Sequence, residues 1–407
     1  MSKQENQLPQ GWEVKKLGEV CDFQNGFAFQ SKLYKESGLP ILRITNIQND
    51  EINTKELVFF NTKDYKVNLD RFKVFQGDLL IAMSGATTGK LGINNSETVF
   101  YLNQRVGKFI PMKHLNKIFL YYFLTTKVEE SLRIAIGAAQ PNLSTEQIYS
   151  FEIPLPPLPE QQRIVSILDE AFAAIAKAKA NAEQNLKNAR ELFDCYLQRV
   201  FEIKGEGWEE KKLGDLATFR NGMNFTKGSN GEVIKIVGVK DFQQSFYVPF
   251  ETLEYATIDG KLNETDILKD GDILAVRSNG NPSLIGRTLL AYGVHENVSH
   301  SGFTIRIRLN TNLLSPIYLC NYLKTKKTRK ELIDSGNGVG IKSLNQGSLS
   351  SLLIPYPKSL KEQQAIVQKL DSLSTETQKL ETVYRKKIAD LEELKKSLLQ
   401  KAFSGEL

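Results

Sequence analysis

The chain is written twice, and this limits its possible folds more than any other feature. Gly11 to Phe29 reads GWEVKKLGEVCDFQNGFAF and Gly207 to Phe225 reads GWEEKKLGDLATFRNGMNF, identical at 11 of 19 positions. Further on, GDLLIAMSG from Gly77 answers GDILAVRSN from Gly271, and LPEQQRIVSILDE from Leu158 answers LKEQQAIVQKLDS from Leu360. Even LQRVF (Leu197 to Phe201) returns as LQKAF (Leu399 to Phe403). A period of roughly 200 residues is that of a duplicated domain, because solenoid units are far shorter. With 407 residues, 41% of them hydrophobic, the chain can build two packed cores without disulfides or metals.

Each copy divides into two parts. The first carries short apolar runs between turn signals, such as LPILRITNI, GDLLIAM and FTIRIRLN, mixed with helical stretches such as LNKIFLYYFLTT. This predicts an α+β chain with two tandem mixed α/β globules, over residues 1–157 and 204–358. The second part opens on IPLPPLPE or IPYPKSLKE, where the prolines force an extended approach, and Ser359 and Glu362 have the spacing of a capping box. No interior glycine or proline then appears until Gly205 or Gly405. The pattern predicts spacer helices over 158–203 and 359–407, each about 60 Å long at about 1.5 Å per residue.

The apolar positions say what these helices pack against. Ile164, Leu168, Ala171, Ile175, Ala178, Ala182, Ala189, Leu192 and Tyr196 fall on alternating steps of four and three, with Asn185 as the polar interruption. The second copy keeps the register with Ile366, Leu370, Leu373, Leu380, Tyr384, Leu391, Leu394 and Leu398, interrupted by Thr377 and Lys387. This is the pattern of a coiled-coil seam. The second globule starts where the first helix ends and finishes where the second begins, so the helices are expected to run antiparallel, in a pseudo-two-fold arrangement. Such symmetry suits a long, nearly two-fold ligand, of which duplex DNA is the obvious example.

No stretch of the chain spells a catalytic motif. GATTGK at Gly85 to Lys90 has three residues between its glycines and Leu91 after the lysine, which does not fit a phosphate-binding loop. A glycine-rich turn closing a strand is expected there. Asp169 to Phe172 spells DEAF, which without a phosphate loop reads as a helix face. His114, His295 and His300 show no metal-ligand spacing, and Cys21, Cys195 and Cys320 lie too far apart in sequence for a thiolate pair. Neither LPPL at Leu155 nor NPSL at Asn281 supplies an adenine-methyltransferase motif, and no acidic cluster with a lysine suggests a nuclease. No cofactor, no metal and no catalytic residue are expected. No apolar run reaches membrane-spanning length, and a cytoplasmic protein is expected. Lys and Arg number 53 against 47 Asp and Glu, a net +6 that permits a polyanionic partner without requiring one.

Taken together, the GW..KKLG start at Gly11 and Gly207, the GD[LI]L turn at Gly77 and Gly271, and the proline-rich approach to EQQ at Glu160 and Glu362 resemble the specificity subunit of type I restriction-modification systems. The likeness covers nearly the whole chain. It implies a non-catalytic subunit that binds double-stranded DNA, holds two adenine-methyltransferase subunits and is sometimes joined by ATP-dependent restriction subunits. Each globule would read one half of a split, asymmetric target, and the helices would set the distance between the halves. The loops after the strands offer candidate readers: Arg43, Thr45, Asn46, Lys90, Gln104 and Arg105 in the first globule, and Lys240, Arg277, Asn279, Asn281, Arg287 and His300 in the second. Arginine to guanine and Asn or Gln to adenine are the usual edge contacts, whereas lysine more often meets phosphate. The competing reading is a structural adaptor whose two globules bind proteins, with the helices as a spacer.

Overall fold

The computed structural model describes residues 8–48, 51–128, 130–132, 142–226, 228–242, 245–334 and 343–407. They fall into two compact units, Met1–Asn181 with Lys387–Leu407, and Ala182–Lys386. Each unit holds one globule and a segment of each long helix.

In the first unit the repeated start forms the strand Glu13–Lys16, which pairs antiparallel with Glu152–Leu155, Val14 opposite Pro154. The second unit repeats this with Trp208–Lys212 against Leu353–Pro357. A two-stranded ribbon is all edge, so the prolines of both approaches are tolerated there. The ribbon is fastened by Leu17 N–H to the Phe151 carbonyl and by Leu213 N–H to the Leu352 carbonyl, each 2.8 Å.

Beyond the ribbon the first unit has two four-stranded sheets. In one, Val58–Phe60, Leu39–Leu42, Phe100–Leu102 and Lys73–Val74 lie side by side; in the other, Cys21–Asn25, Val106–Pro111, Leu79–Ala82 and Leu91–Ile93. The GDLLIA strand is apolar at every position because it is buried on both faces. Leu79 and Ile81 join the core that covers the helix Lys117–Thr126, while Leu80 and Ala82 join the core between the sheets. The second unit does the same with Ile273–Val276: Ile273 and Ala275 face one core, Leu274 and Val276 the other. The glycine before each strand has positive φ (Gly77 80°, Gly271 88°), and the following aspartate caps the turn, Asp78 from Phe75 N–H at 2.9 Å and Asp272 from Lys269 N–H at 2.7 Å.

The helices run Leu158–Glu202 and Leu360–Ser404, 45 residues each. Inside each unit their segments pair antiparallel. In the first, Arg163 donates to the Leu407 carbonyl (2.6 Å), Lys395 lies 5.2 Å over the Phe172 ring, and Lys179 pairs with Glu392. In the second, Arg190 pairs with Glu381 (3.0 Å) and Lys369 lies 5.6 Å over the Tyr196 ring.

The seam is narrower than the periodicity suggests. Ile164, Leu168, Ile175, Ala182 and Ala189 are buried, spaced mostly by sevens, as are Val367, Leu370 and Thr377. Ile366 and Leu391 are half-buried. Leu192, Leu380 and Leu394, expected in the seam, are 51%, 41% and 46% exposed. A pair of helices covers one stripe completely and leaves the adjoining apolar row at its rim, and these three leucines lie on that row. The capping box at Ser359 is also only half made. Glu362 N–H reaches Ser359 Oγ (3.4 Å), but the Glu362 carboxylate accepts from Trp208 Nε1 (3.1 Å) and so ties the helix start to the ribbon.

What joins globule to helix is the first glutamine of EQQ. Gln161, fully buried, accepts from Asn116 N–H (2.8 Å) and donates to the His114 (3.0 Å) and Pro156 (2.8 Å) carbonyls. Gln363 does the same with Ser315 N–H (2.8 Å) and the Leu313 (2.8 Å) and Pro357 (2.9 Å) carbonyls. Replacing Gln363 with leucine takes the partner from three backbone groups, of which the Pro357 carbonyl is buried and the other two partly so, and an unsatisfied buried group costs about 1–3 kcal/mol. The expected loss is about 2–4 kcal/mol in chemical unfolding of the full chain, with Gln364→Leu at the exposed neighbour as the near-neutral control. Equal losses for the two variants would show that the amide holds nothing.

Candidate nucleic-acid interface

The strand register brings the loops that hold the candidate readers of each unit to one edge. In the first, Leu39–Leu42 and Phe100–Leu102 run parallel with Leu42 beside Leu102, and Val106 stands opposite Ala82. The loops leaving these strands therefore emerge together. Backbone bonds tie them: Asn103 N–H to Leu42 O (3.0 Å), Met83 N–H to Arg105 O (2.9 Å), and Leu143 N–H to Met83 O (2.7 Å). In the second unit Val237 stands beside His300 and Val276 opposite Thr304. The ties recur as Ser301 N–H to Val237 O (3.0 Å), Arg277 N–H to Phe303 O (2.8 Å) and Leu344 N–H to Arg277 O (2.8 Å).

The repeated Asn-Gly of the motif supports the turn between Phe100–Leu102 and Val106–Pro111, and its counterpart between Val298–His300 and Thr304–Leu309. Gly26 donates to Val106 O and Gly222 to Thr304 O, both 3.1 Å. A Cβ at Gly26 would lie 2.0 Å from the Asn103 carbonyl oxygen, and one at Gly222 would lie 2.2 Å from that of Ser301. Only glycine allows this approach, so the motif marks where the reading turn rests.

On this frame the expected residues part company. Thr45, Gln104 and Arg105 are exposed at the first edge, and Lys90 is half-exposed beside them. Arg105 also reaches Ser84 Oγ (3.4 Å). Arg43 is half-buried, its guanidinium on the Glu56 carbonyl (3.1 Å). Asn46 leaves the surface: it is 2% exposed, accepting from Arg43 N–H (2.9 Å) and donating to the Asn53 carbonyl (2.9 Å).

At the second edge Lys240 is exposed and paired with Glu254; Arg277 and Asn279 are half-exposed, and Asn281 is exposed. The Asn279 and Asn281 carbonyl oxygens accept from Asn281 N–H (2.8 Å) and Ser283 N–H (3.0 Å), which shapes the loop and leaves the amide nitrogens outside those bonds. Half-buried Arg287 touches the Phe242 carbonyl (3.4 Å). His300 is not a surface donor. It is 1% exposed, its Nδ1 is 2.9 Å from Thr304 Oγ1, and burial, then the charge of Arg306, push its pKa down to about 3.

Sequence reasoning missed Phe303, 61% exposed at the tip of the second reading turn, where the first unit has Arg105. It also missed Lys324 and Arg329, which line a cavity together with Arg287. The run KTKKTRK from Lys324 was the available signal.

The profile of the type I restriction modification DNA specificity domain matches residues 9–187 and again 205–390. The chain belongs to this family. It is 26% identical over 427 residues to the type I restriction enzyme StySPI specificity subunit of Salmonella potsdam, covering 98% of this chain and 90% of that one. It is also 26% identical over 424 residues to the EcoKI specificity subunit of Escherichia coli strain K12, with the same coverage. A chain solved for the complex assembly and conformational transition of the type I R-M system shares the fold with a TM-score of 0.78 at 20% identity, over 98% of this chain and 100% of that one. The HsdS subunit of Thermoanaerobacter tengcongensis shares it with a TM-score of 0.63 at 19% identity, over the whole of both. The chain is thus a specificity subunit for a DNA target, and the protein-adaptor reading is not favoured. No helix among the described residues is long and apolar enough to cross a membrane.

His300 gives a test with a definite sign. Its folded pKa lies below the ordinary 6.5, so beneath pH 6.5 the unfolded chain takes up a proton that the folded chain refuses until about pH 3. The contribution is whole above pH 6.5 and is lost as pH falls. Between pH 7 and pH 5 the protein should lose about 2 kcal/mol relative to His300→Gln in chemical unfolding, at about 1.4 kcal/mol per pH unit below 6.5. A difference that stayed constant would mean that the imidazole titrates as if in solvent.

Proposed function

We propose that this specificity subunit reads a bipartite, asymmetric duplex target, one half-site at each reading edge, and that it performs no chemistry itself. The observation that carries this is the contrast between backbone and side chains at the two edges. The same ties recur in both units, while the loops hold different residues: Gln104 and Arg105 in one turn, Gly302 and Phe303 in the other. Two frames of one design with different side chains fit two different half-sites. Base contacts would come from Thr45, Gln104 and Arg105 on one side and Arg277, Asn279, Asn281 and Phe303 on the other, with Arg43, Lys90, Lys240 and Arg287 meeting phosphate or shaping the loops.

Methyl transfer belongs, in this reading, to two adenine-methyltransferase partners, and cleavage to ATP-dependent restriction subunits where present. The names of the relatives as restriction-enzyme specificity subunits, and a fold neighbour solved for complex assembly of such a system, support it. Incubated with labelled S-adenosylmethionine and target DNA, the purified chain should transfer no methyl group until methyltransferase is added. Transfer by the chain alone would end the proposal.

The long helices act as the ruler. Seven residues added to each, after Asn185 and after Lys386, keep the heptad phase and the register in which Arg190 faces Glu381. The added rise is about 10 Å, at most about three base pairs at about 3.4 Å each. Methylome sequencing of cells carrying the altered subunit should find both half-sites unchanged and the spacer lengthened. New half-sites with the old spacer would refute the ruler.

A further inference from the structure

The second unit contains a cationic pocket that the reading edge does not account for. Arg287, Lys324 and Arg329 converge with Phe242, Ser245, Gly286 and Thr288 around a cavity of about 270 Å³. Each base is held in place. Lys324 Nζ donates to the Thr288 carbonyl (2.8 Å) and sits 5.0 Å over the Phe246 ring. Arg329 donates from Nε to the Ile285 carbonyl (3.3 Å) and from Nη2 to the Ser283 carbonyl. Its guanidinium thereby buttresses the loop that carries Asn279, Asn281 and Arg287. A second cavity, lined by Ser283, Arg287, Arg329, Lys326, Lys330 and Ile333, continues the surface; Lys330 is exposed on it, and Lys326 pairs with Asp194 (2.9 Å).

Like charges gathered this closely repel one another. Burial, then Arg287 and Arg329, hold the Lys324 ammonium below the usual lysine range, and burial, then Arg287, do the same to Arg329. Among the described residues, none of the groups that shift either one is a carboxylate. An anion entering the pocket removes this repulsion, so the site favours a negative ligand. Among the described residues, the first unit shows no such cluster. Its sequence at the corresponding place is TTKVEESL, and Lys127 is neutralised there by Glu130 at 2.8 Å.

We infer that the Arg287, Lys324 and Arg329 pocket clamps one backbone phosphate of the duplex, with Lys330 on the neighbouring phosphate, so that the second unit anchors the subunit on DNA. This rests on the reading of the chain as a DNA specificity subunit and adds a division of labour between its halves. Phosphate contacts set position and affinity without carrying sequence. The pocket shares Arg287 with the loop that carries Asn279 and Asn281, and Arg329 holds that loop through the Ser283 carbonyl, so clamping a phosphate fixes the depth at which Asn279 and Asn281 meet the groove.

Two variants test this in the full chain assembled with its methyltransferase. Lys324→Met removes one of the three pocket charges, and Lys330→Gln at the exposed rim removes a charge without touching the core. The slope of log affinity against log salt should fall by about 0.9 for each phosphate that the variant no longer neutralises. Specific and nonspecific duplexes should weaken by the same factor, about 5- to 10-fold per phosphate at low salt. In a parallel arm, inorganic phosphate should raise the melting temperature of the wild-type chain but not of Lys324→Met. An unchanged salt slope in folded variants overturns the inference. Stabilisation by phosphate together with an unchanged DNA slope overturns it too, because the pocket would then take only a free anion. If the wild-type complex itself fails to select its target, the specificity reading has failed, and the phosphate arm still reports separately on the pocket.

Discussion

One buried side-chain amide in each unit fixes the geometry on which everything else depends. Gln161 and Gln363 each meet one backbone donor and two backbone acceptors from two separate segments of the globule, and each stands on the first turn of a long helix. A carboxylate at that place could not donate and an aliphatic side chain could do neither, so the position demands an amide of this length. The bonds set the angle at which the helix leaves the domain. The ribbon of Trp208–Lys212 with Leu353–Pro357, closed by Trp208 on Glu362, adds a second fixed line beside the first.

The repeated motifs are thereby explained as frame. The GW..KK start is a ribbon strand, GD[LI]L is a strand buried on both faces, Asn-Gly lets the reading turn rest on the neighbouring backbone, and EQQ joins globule to helix. The residues at the reading edges are those that the two copies do not share, and they sit on loops whose ties are backbone to backbone. Side chains on such loops can change while the ties remain.

That division governs what was legible in the sequence. Duplication and the presence of two long helices could be read, because they rest on repetition, local periodicity and punctuation. The face of the seam could not be fully read: Leu192, Leu380 and Leu394 repeat with the right spacing, but spacing alone does not say which of two adjoining apolar rows the partner covers. Asn46 and His300 follow strands as exposed readers would, yet their polar atoms satisfy nearby backbone and side-chain groups, which only the packed structure reveals. Phe303 was passed over because aromatics are usually assigned to cores, and Lys324 and Arg329 because a lysine-rich helix usually reads as a solvated face.

The division of the chain into units has a consequence for biosynthesis. The second unit, Ala182–Lys386, is one continuous stretch, whereas the first needs Lys387–Leu407 to complete it. Leu399, Ala402 and Phe403 from that last stretch pack with Phe119 and Phe123 in the first unit's core. During vectorial synthesis the domain made first therefore waits, with part of its core uncovered, while the domain made second can close. The order of maturation runs opposite to the order of translation, and until the last stretch emerges the nascent chain leaves apolar surface of that core open to chaperones.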